Sequence, residues 1–344
     1  MSGGSENAIY ALGFSFWKKG PVRRFLAGSR VRFVRRAEEV APGATLAVWG
    51  YRPIPGRLAA GVRLLRLEDG FLRSVGLGAD LIRPLSWVID GRGMYYDSTR
   101  PSDLEVTLAE ADFTPPLLER ARVLRESIVR SGLTKYNLGG PTWQPPGGAQ
   151  RVILVPGQVE SDASLAYGAP GVRTNMGLLR AVRAANPDAY IVYKPHPDVV
   201  AGLRARGDGE AGAPSEANEV VADVAMGALL PVVDEVHVLT SLAGFEALLR
   251  GKSVTCYGQP FYAGWGLTTD LAPLTRRSRK LTLDQLVAGA LILYPRYVSL
   301  VTGGLTTPEQ ALDELCAWRA RAGAGVPWWR NAFRVVLRRV VGVR

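Results

Sequence analysis

Four short clusters in this chain combine residue types that bind or transfer anionic groups. Leu67–Ser74 reads LEDGFLRS, with Glu68 and Asp69 side by side and Arg73 close behind. A carboxylate there can act as a base, and the planar fork of an arginine can hold a carboxylate ligand through two bonds. Pro156–Ser164 reads PGQVESDAS and presents Gln158, Glu160, Asp162 and Ser164 after Gly157. Asp162 is the kind of carboxylate that attacks an electrophilic carbon when held against it. Tyr193–Asp198 reads YKPHPD, so His196 stands between two prolines that fix its backbone, with Lys194 beside it. That pair suits a phosphate. Leu239–Glu246 reads LTSLAGFE, where Thr240 and Ser241 precede a helical run containing Glu246. Hydroxyls and open backbone N–H groups at a helix start make an anion site. Each cluster also has a plainer reading. Glu68 to Arg73 can be a helix cap with a surface ion pair, and Asp162, Thr240 and Ser241 can be ordinary helix caps.

The elements that must position these clusters alternate between strands and helices. Ala8–Phe14, Arg30–Val34, Thr45–Trp49 and Val62–Leu67 read as strands, with helices at Trp17–Ala27 and Leu117–Ser131. Residues 137–150 hold two Pro-Gly clusters and read as a linker. A second series follows, with strands at Arg151–Val155, Tyr190–Tyr193, Glu235–Leu239 and Ser253–Tyr257. Helices are expected near Asn175–Ala185 and Gly244–Arg250, and a surface loop over Leu203–Ala217. The pattern predicts an α/β fold of two Rossmann-like domains with a cleft between them, over residues 1–140 and 141–305, followed by C-terminal helices over 306–344. All four clusters follow predicted strands, where such folds bind ligands. Gly258–Asp270, GQPFYAGWGLTTD, is expected to be a loop offering exposed aromatic rings for stacking, or else a plug that packs them inward.

Composition limits the function classes. The chain has 344 residues, 47% of them hydrophobic and 21% charged, as in folded globular proteins. Two cysteines cannot staple a chain of this size, and they fit a reducing compartment. No secretory leader and no membrane span is expected. Cys256 and Cys316 are far apart in sequence and have no histidine near them, so no metal site is expected. The net charge of +11 is concentrated at two places. Eight basic residues and no acid lie between Lys18 and Arg36, and five arginines and no acid between Pro327 and Arg344. Such patches seek phosphate, but no nucleic-acid recognition motif accompanies them.

Taken in order, EDGFLRSVGLG, RPLSWVID, YYDSTRPSDLE, GLTKYN, GQVESDAS, NPDAYIVYKPHPDV, TSLAGFEALLRGK, YGQPFYAGWGLT and YPRY fill most of Glu68 to Tyr297. Together they resemble the KpsC-type capsule polysaccharide proteins. The resemblance implies a GT-B-like fold and a retaining β-Kdo transferase. It would use CMP-Kdo as donor and need no cofactor. The acceptor would be a Kdo-containing linker on phosphatidylglycerol, met at the cytoplasmic face of the inner membrane. By the same resemblance Asp162 is the nucleophile of a covalent Kdo adduct, and His196, Thr240 and Ser241 hold the CMP phosphate and ribose. Glu68 or Asp69 is the candidate base and Arg73 the candidate for the Kdo carboxylate. Many family members carry two such modules in tandem, while this sequence has one, closer to the C-terminal module. Two other readings stay open: a different nucleotide-sugar enzyme on the same fold, and a non-catalytic capsule assembly or export factor.

At the C-terminal end, Arg330, Arg334 and Arg338 recur every fourth residue, while Trp329, Phe333, Val336 and Val340 form another face. This is the pattern of a basic interfacial helix, and equally of a last helix that packs back on the first domain. With Lys18–Arg36 it would offer anionic lipid about 1 kcal/mol per basic residue near the surface.

Overall fold

The computed structural model describes residues 8–72, 84–134 and 141–322. Arg73 and the basic C-terminal segment lie outside the described residues. In chain order the first elements are β1 (Ala8–Leu12), α1 (Phe16–Phe25), β2 (Arg30–Val34), β3 (Thr45–Trp49), β4 (Arg63–Asp69), β5 (Ser86–Asp90), α2 (Asp103–Glu110) and α3 (Pro115–Ser131). The middle of the chain forms β6 (Val152–Pro156), α4 (Ala163–Gly168), α5 (Asn175–Ala185), β7 (Tyr190–Lys194), α6 (Pro197–Val200), α7 (Ala213–Glu216), β8 (Glu219–Val220), α8 (Met226–Leu229), β9 (Glu235–Val238), α9 (Leu242–Leu249) and β10 (Ser253–Cys256). The last are β11 (Thr269–Asp270), α10 (Leu283–Val287), β12 (Pro295–Val298), β13 (Leu305–Thr306) and α11 (Pro308–Ala322).

These strands make two sheets. The seven-stranded sheet runs β13-β12-β5-β4-β3-β1-β2, and the six-stranded one β11-β10-β9-β6-β7-β8. The second is parallel throughout. Its central strand β6, VILVP, is buried along its whole length, as a strand covered on both faces must be. Helix boundaries follow local chemistry. Thr174 Oγ1 accepts from Gly177 N at the start of α5, and Ser102 Oγ accepts from Glu105 N at the start of α2. Prolines open α3 and Gly132, at φ 62°, closes it in the left-handed conformation.

The first sheet departs from the expected parallel arrangement. Only β1 to β4 are parallel; β5, β12 and β13 extend it in antiparallel fashion. The segment expected to complete the second domain up to residue 305 therefore gives β12 to the first sheet. Burial explains that return. Tyr297 is fully buried there, and the Tyr294 hydroxyl donates to buried Asp90 Oδ2 at 2.8 Å. α11 then lies against α3, where Arg120 grips Glu309 through two bonds of 2.7 and 2.9 Å. Leu203–Ala217, expected as a loop, contains a short 3₁₀ turn and α7.

One apolar core cluster runs through both sheets, from Leu85, Val88 and Met94 to Val236, Phe245 and Cys256. Under α1 the Trp87 ring stacks on Phe25 at 4.5 Å and meets Trp49 edge-on at 5.0 Å. A buried ion-pair cluster ties α2 to the segment before α10: Glu105 accepts from Arg276 and, at 2.9 Å, from Arg277 Nε. The Gly258–Asp270 loop is a plug. Phe261, Tyr262 and Trp265 are all buried, and Trp265 Nε1 donates to Phe261 O at 2.8 Å. The expected exposed stacking surface is therefore not present. Apolar rings gain more from the core beside Phe71 and Phe245 than from water.

Candidate active site

A cleft of about 540 Å³ opens between the two sheets. The carboxyl ends of β3, β4, β6 and β9 supply its walls, which is where open α/β sheets leave room for ligands. Glu68 and Asp69 line it from the seven-stranded sheet; Asp162, Ser164, His196, Thr240 and Ser241 line it from the six-stranded one. The chain thus brings together carboxylates that lie nearly a hundred residues apart.

Asp162 occupies the residue before α4, yet its side chain makes no capping bond. It is about half exposed in the cleft, with Arg204 Nη2 4.0 Å from its Oδ1. Arg204 comes from the segment read as a plain surface loop. Its backbone N–H donates to Asp198 O at 3.1 Å, which folds that segment back over the cleft. No local periodicity reveals such a return.

Gln158, which lines the cleft, and Glu160, both expected to contact substrate, are also tied into the scaffold. The Gln158 amide makes two bonds to Thr240: its Nε2 donates to Oγ1 at 3.0 Å, and its Oε1 accepts from Thr240 N at 2.9 Å. Buried Asn175 clamps the Gln158 backbone from the other side, accepting from its N–H and donating to its carbonyl, both at 2.9 Å. Glu160 turns into the scaffold, where it accepts from Asn175 N at 2.7 Å and Asp208 N at 3.0 Å. With one backbone donor on each oxygen, the Glu160 carboxylate braces the loop carrying Arg204.

A second cavity of about 130 Å³ adjoins the cleft and is lined by Gly157, Lys194, His196, Asp223, Ser241 and Glu246, among others. His196 and Ser241 border both spaces. His196 caps α6, its Nδ1 accepting from Asp198 N at 3.2 Å. Lys194 is buried, donates to Ala222 O at 3.3 Å, and is held below the ordinary lysine pKa by that burial. Gly157 lets the β6 loop approach this turn. A Cβ there would stand 2.5 Å from the Tyr193 hydroxyl, and Gly157 N donates to Lys194 O at 2.8 Å. Ser241 Oγ accepts from Ala243 N at 3.3 Å, so it caps α9 as well as facing the cavities.

Several residues of the cleft were not singled out in the sequence. Lys18 sits 3.0 Å above the Trp49 ring, and both line the cleft together with Arg52, Tyr95 and Tyr96. Tyr96 is pushed well above the ordinary tyrosine pKa by burial and by neighbouring Glu68. The YYDST motif was a visible signal for the two tyrosines; Lys18 was visible only as part of a basic run. Among the described residues no three His, Cys, Asp or Glu side chains gather as metal ligands. Among the same residues, no helix is long and apolar enough to cross a membrane.

The family profile described as "Capsule polysaccharide biosynthesis protein" matches residues 46–136 and 146–303, which include every cleft and cavity residue named above except Lys18. The capsule polysaccharide modification protein LipA of Neisseria meningitidis serogroup A is 44% identical over 317 residues, 89% of this chain and 45% of LipA. The chain thus spans about half the length of that relative. The lipopolysaccharide-processing protein LpsZ of Rhizobium meliloti is 40% identical over 91% of this chain and 75% of its own. Two solved structures of Thermosulfurimonas dismutans KpsC are also similar. Its beta Kdo 2,7 transferase has a TM-score of 0.76 and 42% identity over 91% of this chain and 100% of that one. Its beta Kdo 2,4 transferase has a TM-score of 0.77 and 33% identity over 90% of this chain and 98% of that one.

Proposed function

The chain belongs to the KpsC-type capsule polysaccharide biosynthesis family, and from that membership we propose that it is a retaining β-Kdo transferase with a GT-B-like pair of domains. The observation that carries the reading is the placement of Asp162, an uncapped carboxylate in the cleft, opposite Glu68 and Asp69 from the other sheet. We assign the seven-stranded sheet to the acceptor and the six-stranded sheet to CMP-Kdo.

The donor cavity bordered by Lys194, His196 and Ser241 would receive the CMP phosphate, and Glu246 the ribose side. The leaving group is a phosphomonoester that carries its negative charge already, so cationic and N–H groups meet its needs and we assign no cofactor. In the first displacement an Asp162 oxygen bonds to the anomeric carbon while the bond from that carbon to the phosphate oxygen breaks. CMP departs with the electron pair. In the second, an acceptor hydroxyl gives its proton to Glu68 or Asp69 and bonds to the same carbon, and Asp162 leaves as a carboxylate. Two inversions restore the starting configuration.

The anomeric carbon of Kdo bears a carboxylate that repels a carboxylate nucleophile. Arg204, 4.0 Å from Asp162, is placed to screen that repulsion, alongside Arg73 as the candidate partner of the Kdo carboxylate. The higher identity to the 2,7 transferase, 42% against 33%, supports a 2,7 linkage to a Kdo-terminated lipid acceptor at the cytoplasmic face of the membrane. The test is CMP release from CMP-Kdo in the presence of that acceptor. Asp162→Asn should abolish it and Arg204→Ala should reduce kcat at least tenfold; turnover of a UDP-sugar in its place would refute the reading.

A further inference from the structure

The start of α1 exposes two large aromatic rings that the core has not taken up. Phe16 is 80% exposed and Trp17 73%, and the rings touch edge to face at 6.0 Å. Basic residues follow them along α1 and β2. Lys19 and Arg23 of α1 lie over the Phe33 ring of β2 at 5.2 and 5.0 Å, and Arg32 lies over Tyr10 on the opposite face of the sheet at 5.6 Å. α1 and β2 therefore form one continuous cationic edge, with no acid from Lys18 to Arg36. The first acids beyond it, Glu38 and Glu39, are turned to the backbone N–H groups of Arg57 and of Arg35 and Arg36. At the far end of α1, Arg24 packs over Gly303, in a turn whose Val301 is 79% exposed.

β2 is an edge strand, and arginines on an edge strand also discourage sheet-to-sheet aggregation. That role explains Arg30 and Arg32 but not two water-exposed aromatic rings at the start of α1. The C-terminal segment 327–344 carries five arginines and no acid, so it offers this surface no opposite charge. Aromatic rings beside a purely cationic surface match one partner well: an anionic bilayer, whose interface accepts the rings and whose headgroups neutralise the charge.

We propose that Phe16, Trp17 and the basic α1–β2 edge dock the protein on an anionic lipid surface, with the mouth of the cleft turned toward it. The neighbour of Trp17 in sequence, Lys18, already lines the cleft above Trp49, so the same docking sets the cleft beside the headgroups. The inference deepens the membrane-surface part of the proposed function, and its test contains neither donor nor acceptor. Residues 16 and 17 also precede the first stretch matched by the family profile, which begins at residue 46.

The full chain should float with vesicles of phosphatidylcholine mixed with phosphatidylglycerol, and not with phosphatidylcholine alone, and binding should weaken as salt rises. Phe16→Ser/Trp17→Ser should lower the partition coefficient at least tenfold, and Lys19→Glu/Arg23→Glu should lower it by about fivefold for each charge removed or more. Each variant should melt with the wild type. Transfer to a short water-soluble acceptor should be unchanged in the aromatic variant. Equal flotation of wild type and aromatic variant would overturn the proposal. So would a wild type indifferent to phosphatidylglycerol, or a lipid-free self-association that the aromatic variant abolishes. The last result would identify the patch as a protein interface.

Discussion

Replacing Gln158 by leucine separates a scaffold role from a substrate contact. Leucine keeps most of the volume but removes both bonds to Thr240, of 3.0 and 2.9 Å. Each such bond contributes a net of about 1 kcal/mol, and a buried donor left unsatisfied costs about 1–3 kcal/mol. Thr240 is only half-buried, so water can reach part of what is exposed. The loss should therefore fall near 2 kcal/mol, about a thirtyfold shift in the folding equilibrium. Urea denaturation measures it directly. Adding Thr240→Val to Gln158→Leu removes the stranded hydroxyl and should return about 1 kcal/mol, so the two changes should be non-additive. Donor KM should rise in Gln158→Leu as Thr240 loses its fixed position. A stability within about 0.5 kcal/mol of wild type, together with a raised donor KM, would refute the scaffold role and make Gln158 a direct ligand.

Two further perturbations test the frame around the site. Glu105→Ala strands buried Arg277, so the protein should lose about 3–5 kcal/mol of stability by chemical denaturation, whereas an exposed pair would lose under about 1 kcal/mol. His237 should make the fold acid-sensitive. Its Nδ1 is buried with no hydrogen-bond partner among the described residues, and burial holds its pKa below the usual 6.5 despite Glu235 at 3.1 Å. The unfolded chain then binds a proton that the native state refuses, so stability falls as pH drops below 6.5. The slope should reach at most about 1.4 kcal/mol per pH unit. The chain has two histidines, and His237→Leu should flatten that slope; a slope unchanged in the variant would assign it elsewhere.

The elements most legible in the sequence were those whose signal is local. Arg30–Val34, Thr45–Trp49 and Asn175–Ala185 carry their strand or helix pattern within their own residues, and the structure places all three at those bounds. β12 was not legible because Tyr-Pro-Arg-Tyr-Val has no alternation, and its partner β5 lies two hundred residues upstream. The site shows the same division. Asp162, His196 and Ser241 stand at the ends of recognisable strands and do line the cleft. Gln158 and Glu160 share a loop with Asp162, and composition alone cannot show that Asn175 and Thr240 claim them. Arg204 approaches Asp162 through a long-range fold of its loop, and Lys18 enters the cleft from a helix on the other sheet. The aromatic plug was settled by packing, which sequence pattern does not resolve for glycine-rich stretches.

The proposed transfer requires a covalent bond between Asp162 and the transferred sugar. Intact-mass spectrometry after incubation with freshly generated CMP-Kdo, without acceptor, tests it most directly. Wild type should gain the mass of one Kdo unit and release one CMP, and peptide mapping should place the added mass on the fragment containing Asp162. Asp162→Ala and Asp162→Asn should gain nothing. An adduct that persists in both variants, or steady transfer to acceptor by Asp162→Ala with retained configuration, would contradict the account.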